Sequence, residues 1–166
     1  MYGSLGHYPA ARHPKGTMRR IVDGDPNHFL GYIPEAETTY SVVGNINEHQ
    51  VSVMETTFGG REELVDTAGT IDYVSLMTIA LQRSKTAREA IAVMTTLTQK
   101  HGYASSGESF SIADPNEVWI LEMIGKGPEE KGTVWVAIRI PDDCIAVHAN
   151  QSRIHKFNLK DNANVM

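Results

Sequence analysis

Two stretches in the middle of the chain have apolar residues at helical spacing. In residues 71–83 these positions form one stripe, which predicts an amphipathic helix. A second helix is predicted after Thr86, because Thr86-Ala87-Arg88-Glu89 matches a capping box. Thr86 would cap the backbone N–H of Glu89, and the Glu89 side chain would reach back. Gly102 is well placed to end this helix.

Before the helices, the pattern favours strands. Residues 38–44 and 51–57 are rich in β-branched residues and alternate in polarity, so they are predicted to be strands. The polar residues 45–50 between them carry turn formers. The three segments together predict a hairpin.

After the helices, apolar and polar residues alternate again, which is the period of two that is typical of strands. Residues 109–113 and 118–123 are predicted strands on either side of Asp114-Pro115-Asn116-Glu117, which is a type I turn sequence. Residues 133–140 and 144–149 are predicted as two further strands. The order of strands, two helices and strands predicts an α+β fold with helices packed on antiparallel sheet.

The first part of the chain is predicted to be irregular. Residues that interrupt regular elements recur too often there for long ones, namely Pro9, Pro14, Gly16, Gly24, Pro26, Gly31 and Pro34. Only short extended pieces such as residues 18–22 fit between them. We therefore expect an irregular segment, 1–37, within one domain that spans 1–166.

Composition excludes several function classes. Hydrophobic residues make up 41% of the 166 residues and charged residues 21%, which predicts a packed core. The net charge is -5 and no basic block occurs, so nucleic acid is not an expected partner. No stretch approaches the roughly 18 apolar residues of a membrane helix. No signal peptide is visible, and both a cytoplasmic and a secreted location stay open.

Spacing alone indicates little chemistry. Cys144 is the single cysteine, so an internal disulfide and a multi-cysteine zinc site are excluded. Its place in a predicted apolar strand favours a buried, unreactive thiol. No phosphate loop and no metal-binding histidine pair is found, and we expect no metal or organic cofactor. Scattered histidines are interpreted as surface residues, namely His7, His13, His148 and His155.

Longer segments of the sequence indicate a protein family more specifically than these single residues do. They include Gly44-Asn45-Ile46-Asn47-Glu48-His49-Gln50 and Glu55-Thr56-Thr57-Phe58-Gly59-Gly60-Arg61-Glu62-Glu63. Others are 71–73, 80–91, 102–104, 107–119, 140–142 and 148–154. These segments run in order from about Tyr8 to Phe157. Together they resemble the dipeptidases of the dipeptidase A type, a cysteine branch of the N-terminal-nucleophile hydrolases.

The resemblance implies a fold and a mechanism. The fold is a four-layer αββα sandwich, in which two antiparallel sheets pack between helices. The nucleophile is a cysteine made N-terminal by processing, and its own α-amino group is the general base. The thiolate attacks the carbonyl of a dipeptide, and water hydrolyses the resulting thioester. Rigid hydrogen-bond donors stabilise the oxyanion.

The resemblance also implies site residues. Asn150 is expected to orient the α-amino group or to donate to the oxyanion. Thr57 is expected on the oxyanion side, with its neighbour Thr56 as the competing choice. Five further residues belong to matching segments, and their implied roles are structural or substrate-facing, namely Asn47, Glu48, Gly59, Gly60 and Arg61.

One departure from the family is large. The family's nucleophilic cysteine lies upstream of the matched region, whereas this chain starts at Met1 and Cys144 has no free α-amino group. The chain therefore looks like an incomplete, internal part of such an enzyme, and we expect it to be inactive by itself. Two alternatives stay open: an acyl-amide hydrolase of the penicillin V acylase or bile salt hydrolase type, and a non-catalytic fold that binds peptides or assembles through exposed sheet edges.

Overall fold

The computed structural model describes residues 5–23 and 27–166. Within these residues, a seven-stranded antiparallel sheet carries two α-helices on one face, and two small two-stranded sheets lie beside it. The strands are β1 (His7–Tyr8), β2 (Ala11–Arg12), β3 (Met18–Val22), β4 (Phe29–Pro34), β5 (Thr38–Thr39), β6 (Val42–Val43), β7 (Ile46–Asn47), β8 (Ser52–Gly59), β9 (Gly107–Ala113), β10 (Val118–Gly125) and β11 (Thr133–Ile140). The helices are α1 (Tyr73–Arg83) and α2 (Ala87–His101). In the large sheet the order is β1-β6-β7-β8-β9-β10-β11.

Both predicted helices are confirmed, and their ends have clear causes. The carboxylate of Asp72 caps α1 by accepting from the backbone N–H of Val74 at 3.1 Å and of Ser75 at 3.2 Å. Thr86 caps α2 through the N–H of Glu89 at 3.2 Å. The Glu89 carboxylate reaches back to the N–H of Lys85 rather than to that of Thr86, at 2.7 Å. The capping box is thus formed with its second half shifted by one residue.

The C-terminal end of α2 also follows the sequence. Gly102 has a φ of +78°, which favours glycine, and its N–H donates to the carbonyl of Thr98 at 2.9 Å. Gly102 therefore turns the chain out of the helix, as predicted.

The core lies between the helices and one face of the sheet. Trp119, Phe110 and Ile112 project from β9 and β10 and are fully buried. Ile79 of α1 and Met94 of α2 are buried against the same cluster. Each such side chain contributes about 1.5–3 kcal/mol when it leaves water, so this layer holds the helices on the sheet.

The predicted hairpin before the helices is wrong in its pairing. The segment 38–44 is split: β5 pairs with β2, while β6 pairs with β1 and β7. β7 lies between β6 and β8, so the two predicted strands are not neighbours. The cause lies in the polar residues 45–50. Asn47 pairs with Val42 as part of β7, so this segment forms a strand of the sheet as well as a turn.

The predicted strand at 144–149 is also wrong. These residues form no strand, and Cys144 is exposed rather than buried. The outer edge of β11, where such a strand would pair, is occupied by the end of the chain. There the N–H groups of Ala137 and Arg139 donate to the carbonyls of Met166 and Asn164, at 3.0 and 2.9 Å.

The N-terminal segment is more regular than expected in its described part. β3 and β4 pair as a hairpin, and Ile21 and Ile33 anchor it in the core. The neighbouring strands β1 and β2 have two residues each, as the frequent prolines suggest. Gly24 and Pro26, interpreted as interruptions, lie outside the described residues.

Side chains alternate between the two faces of the large sheet. Val53 and Phe110 point towards the helices and are buried. Their neighbours Met54 and Ser111 therefore lie on the opposite face, which we call the outer face. Residues 144–157, the covering segment, run across it. The α+β class is confirmed, while the two-sheet αββα sandwich stays a prediction.

Neither helix of the described residues combines the length and the apolar character that crossing a lipid bilayer requires.

Candidate active site

His148 holds the covering segment on the outer face. Its Nδ1 lies 2.7 Å from Oγ1 of Thr56 on β8, and its Nε2 lies 2.5 Å from Oγ of Ser111 on β9. Thr56 also donates to the carbonyl of Ala149 at 3.1 Å. The imidazole therefore bridges two neighbouring strands. Both hydroxyls reach it because they lie on the same face of the sheet.

Glu122 of β10 holds the covering segment at a second point. Its carboxylate accepts from the backbone N–H of Ile154 at 3.3 Å and from that of Arg153. Beyond these bonds, Phe157 lines a cavity of about 240 Å³ together with Phe58 and Val136. The covering segment is thus attached by polar groups in its middle and by an aromatic side chain at its end.

Asn150 and Thr57 lie on different sides of the sheet. Asn150 is exposed in the covering segment, directly after Ala149, which Thr56 contacts. Thr57 faces the helices, where its hydroxyl donates to Glu108 at 2.9 Å. The register of β8 therefore brings Thr56, and not Thr57, next to the segment that carries Asn150. The catalytic roles of Asn150 and Thr57 stay predictions.

The partner of Thr57 is an unusual acid. The Glu108 side chain is buried on the helix-facing side, beside Glu55, and one carboxyl oxygen of each residue lacks a hydrogen-bond partner among the described residues. Burial, followed by the neighbouring Glu55 carboxyl, raises the pKa of Glu108 to about 8, although the Thr57 hydroxyl opposes this shift. Glu108 is therefore protonated at neutral pH, and its proton can join the two carboxyls.

Asn47 has a structural role. Its buried amide donates to the carbonyls of Leu81 at 2.7 Å and Ser84 at 2.8 Å. Its oxygen accepts from the N–H of His49 and of Val51, both at 3.0 Å. The first two bonds tie β7 to the end of α1, and the other two hold the turn that follows β7. The neighbouring Glu48 accepts from the N–H of Ser41 at 2.9 Å, which fixes the start of the same loop.

The segment Gly59-Gly60-Arg61 shapes a turn after β8. Gly59 and Gly60 have φ angles of +77° and +84°, which favour glycine. A Cβ at Gly60 would lie 2.5 Å from Cδ1 of Ile124, whereas open space surrounds the same position at Gly59. Arg61 is exposed, and its Nε donates to Glu63 at 2.8 Å. These contacts describe a tight, surface-facing turn.

Cys144 lines a cleft beside the outer face. The cleft has a volume of about 430 Å³ and lies between the turn after β9, the end of β11 and the start of the covering segment. The hydroxyl-bearing Ser111 and the apolar Ile120 and Ile140 also line it. The Cys144 backbone N–H donates to the carbonyl of Pro141 at 3.0 Å, so its nitrogen belongs to a peptide bond and is not a free amine.

In the described parts of the chain, no three His, Cys, Asp or Glu side chains are arranged to hold a metal ion.

The sequence interpretation missed Glu108 and the role of His148. Glu108 stands in phase with Phe110 and Ile112 in a strand of period two, so an acid on the buried face was visible in the pattern. His148 carried no comparable signal, because its partners come from β8 and β9, far away in the sequence.

Comparison with known proteins gives a consistent result. The family model described as peptidase family C69 matches residues 4–166, which is nearly the whole chain. A probable dipeptidase from Salmonella dublin is 26% identical over 179 residues, covering 96% of this chain and 38% of that protein. A dipeptidase from Bifidobacterium longum (strain NCC 2705) is 36% identical over 146 residues, covering 87% of this chain and 21% of that protein.

A third relative, also named as a dipeptidase, matches over a shorter stretch. A probable dipeptidase from Latilactobacillus sakei is 37% identical over 92 residues, which is 55% of this chain and 18% of that protein. The chain thus spans between about a fifth and two fifths of the length of the curated relatives that it matches.

Proposed function

The chain belongs to peptidase family C69, and we propose that it forms part of a dipeptidase that hydrolyses dipeptides through the thiolate of an N-terminal cysteine. The observation that carries the proposal is the family match over residues 4–166, together with the name dipeptidase shared by the relatives. In this proposal Asn150 orients the α-amino group of the nucleophile or donates to the oxyanion. No cofactor takes part.

The position of Asn150 supports this role. Its side chain is exposed at the outer face, so it can reach a reacting group that approaches from that side. The segment around it is held in place, because His148 and Ala149 bond to the sheet immediately before it. A donor on an anchored segment loses less freedom when it binds an oxyanion than a donor on a free loop would.

The chemistry also supports a second part of the proposal, that the 166-residue chain does not hydrolyse dipeptides by itself. The mechanism needs one residue that supplies both a thiolate and a free α-amino group. Cys144 cannot do so, because its nitrogen is an amide that donates to Pro141. Purified chain is therefore expected to leave a panel of dipeptides intact.

A chimera tests the positive part of the proposal. Residues 4–166, the range of the family match, would replace the corresponding segment of the Bifidobacterium longum dipeptidase, which supplies the rest of the enzyme. We expect this chimera to hydrolyse dipeptides, and Asn150→Ala within it to lower kcat by roughly 100-fold or more, as for the loss of one oxyanion donor. Asn162→Ala is the matched control, because Asn162 is also an exposed asparagine near the C-terminus.

Two results would contradict the proposal. One is a folded chimera that cleaves an acyl amide such as penicillin V but no dipeptide, which would favour the acyl-amide hydrolases. The other is equal activity of the Asn150→Ala and Asn162→Ala chimeras, which would remove Asn150 from the mechanism. Circular dichroism and thermal unfolding confirm that each chimera is folded before its rate is interpreted.

A further inference from the structure

The hydrogen bonds around His148 have a defined direction. Thr56 Oγ1 lies 3.1 Å from the carbonyl oxygen of Ala149, which only accepts, so Thr56 donates its proton there. The Thr56 oxygen then accepts from Nδ1–H of His148, at 2.7 Å. A neutral imidazole with its proton on Nδ1 has an unprotonated Nε2, and Ser111 Oγ lies 2.5 Å from that atom. Ser111 is therefore the donor to His148.

This arrangement contains the three parts of an activated serine. A hydroxyl donates to an imidazole nitrogen, and the other imidazole nitrogen donates to a fixed acceptor that sets the tautomer. We propose that Ser111 is a nucleophile and His148 its general base in a second hydrolytic site, which cleaves esters of short-chain acids. The site needs no N-terminal cysteine, and so it is independent of the dipeptidase function.

The cleft beside the outer face supplies space for such a substrate. Ser111 lines this cleft of about 430 Å³, which is the size of a small-molecule site. Ile120 and Ile140 give it apolar walls that suit a short acyl chain. Ile145 and Ala146 also line it, and their backbone N–H groups donate no backbone hydrogen bond among the described residues. They are available as donors to an oxyanion.

The chemical steps balance without a further reagent. The Ser111 oxygen forms a bond to the ester carbonyl carbon while its proton moves to Nε2 of His148. The carbon–oxygen bond to the alcohol then breaks, and the alcohol leaves with that proton. Water attacks the acyl-serine, gives a proton to Nε2, and releases the acid as Ser111 recovers its proton.

Hydrolysis of p-nitrophenyl acetate by the purified 166-residue chain tests the proposal. We expect saturable release of p-nitrophenol, and a loss of roughly 100-fold or more in Ser111→Ala and in His148→Gln, as for the removal of a nucleophile or its general base. Ser109→Ala is the matched control, because Ser109 lies on the same strand and the same face and makes no hydrogen bond among the described residues. Cys144→Ala controls for acylation of the thiol in the cleft.

A second measurement needs no substituted protein. After a brief reaction of the unsubstituted chain with the ester, peptide mapping by mass spectrometry locates the acetyl group, which we expect on Ser111. Acetyl found on Cys144 or on a lysine, with none on Ser111, overturns the proposal. Full activity in a folded Ser111→Ala variant overturns it as well, and circular dichroism of each variant shows that it is folded.

Discussion

The buried Glu108 makes the stability of the fold depend on pH in a direction that can be worked out. Its pKa is about 8 in the folded protein against an ordinary value of 4.5. Below both values, folded and unfolded chains are equally protonated at this residue. Between them the folded protein holds a proton that the unfolded chain has released, so the free energy of unfolding falls as the pH rises.

The size of this effect follows from the same two values. One proton changes the free energy of unfolding by at most about 1.4 kcal/mol per pH unit, which gives an upper limit of about 5 kcal/mol over the window. We expect about 2 kcal/mol, because Glu55 shares the charge and is only half-buried. In Glu108→Gln this loss disappears, since a neutral amide keeps the shape of the protonated acid and still accepts from Thr57.

Urea unfolding at about pH 5 and about pH 9, followed by the fluorescence of the buried Trp119, measures the difference. The variant should match the parent at the lower pH and exceed it by about 2 kcal/mol at the higher one. Glu62→Gln, which changes an exposed glutamate, should leave the pH dependence of the parent unchanged. A Glu108→Gln protein that loses stability with pH as steeply as the parent would refute the reasoning.

Three further changes test the contacts around the candidate site. Asn47→Ala removes four hydrogen bonds, three of them buried, and should lower the free energy of unfolding by about 2–4 kcal/mol, measured by urea unfolding. Gly60→Ala should cost about 1 kcal/mol more than Gly59→Ala, since both strain the backbone but only the former meets Ile124; equal losses would contradict this. Glu122→Ala should release the covering segment and raise its rate of trypsin cleavage severalfold, and an unchanged rate would show that this anchor is dispensable.

Those elements that bury a continuous stripe were predictable from the sequence. The helices and the strands β9, β10 and β11 carry their own period and their own caps or turns, so local information suffices. Residues 144–149 are equally apolar, yet they form no strand, because a strand also needs a free edge to pair with. Residues 164–166 pair with that edge instead. Competition between segments that are far apart in the sequence cannot be predicted from either segment alone.

The candidate site was predictable in part for a similar reason. The period of β8 places Thr57 in phase with the buried Val53, so the pattern itself puts Thr56 on the outer face. The family resemblance alone does not decide which of the two threonines lies on the oxyanion side. The bridge from Thr56 to His148 spans 92 positions in the sequence and becomes visible only when the covering segment is seen across the sheet.

The pairing of the C-terminal residues with β11 also bears on how copies of the molecule meet. An unpaired strand edge is a template for a strand of another molecule. Here the carbonyls of Asn164 and Met166 already accept the N–H groups of Arg139 and Ala137. Residues 164–166 therefore compete with a strand of any second copy for this part of the β11 edge. Because residues 164–166 are tethered to the same chain, their local concentration at this edge is high, and a strand of another copy has to displace them before it can pair with residues 137–139 of β11.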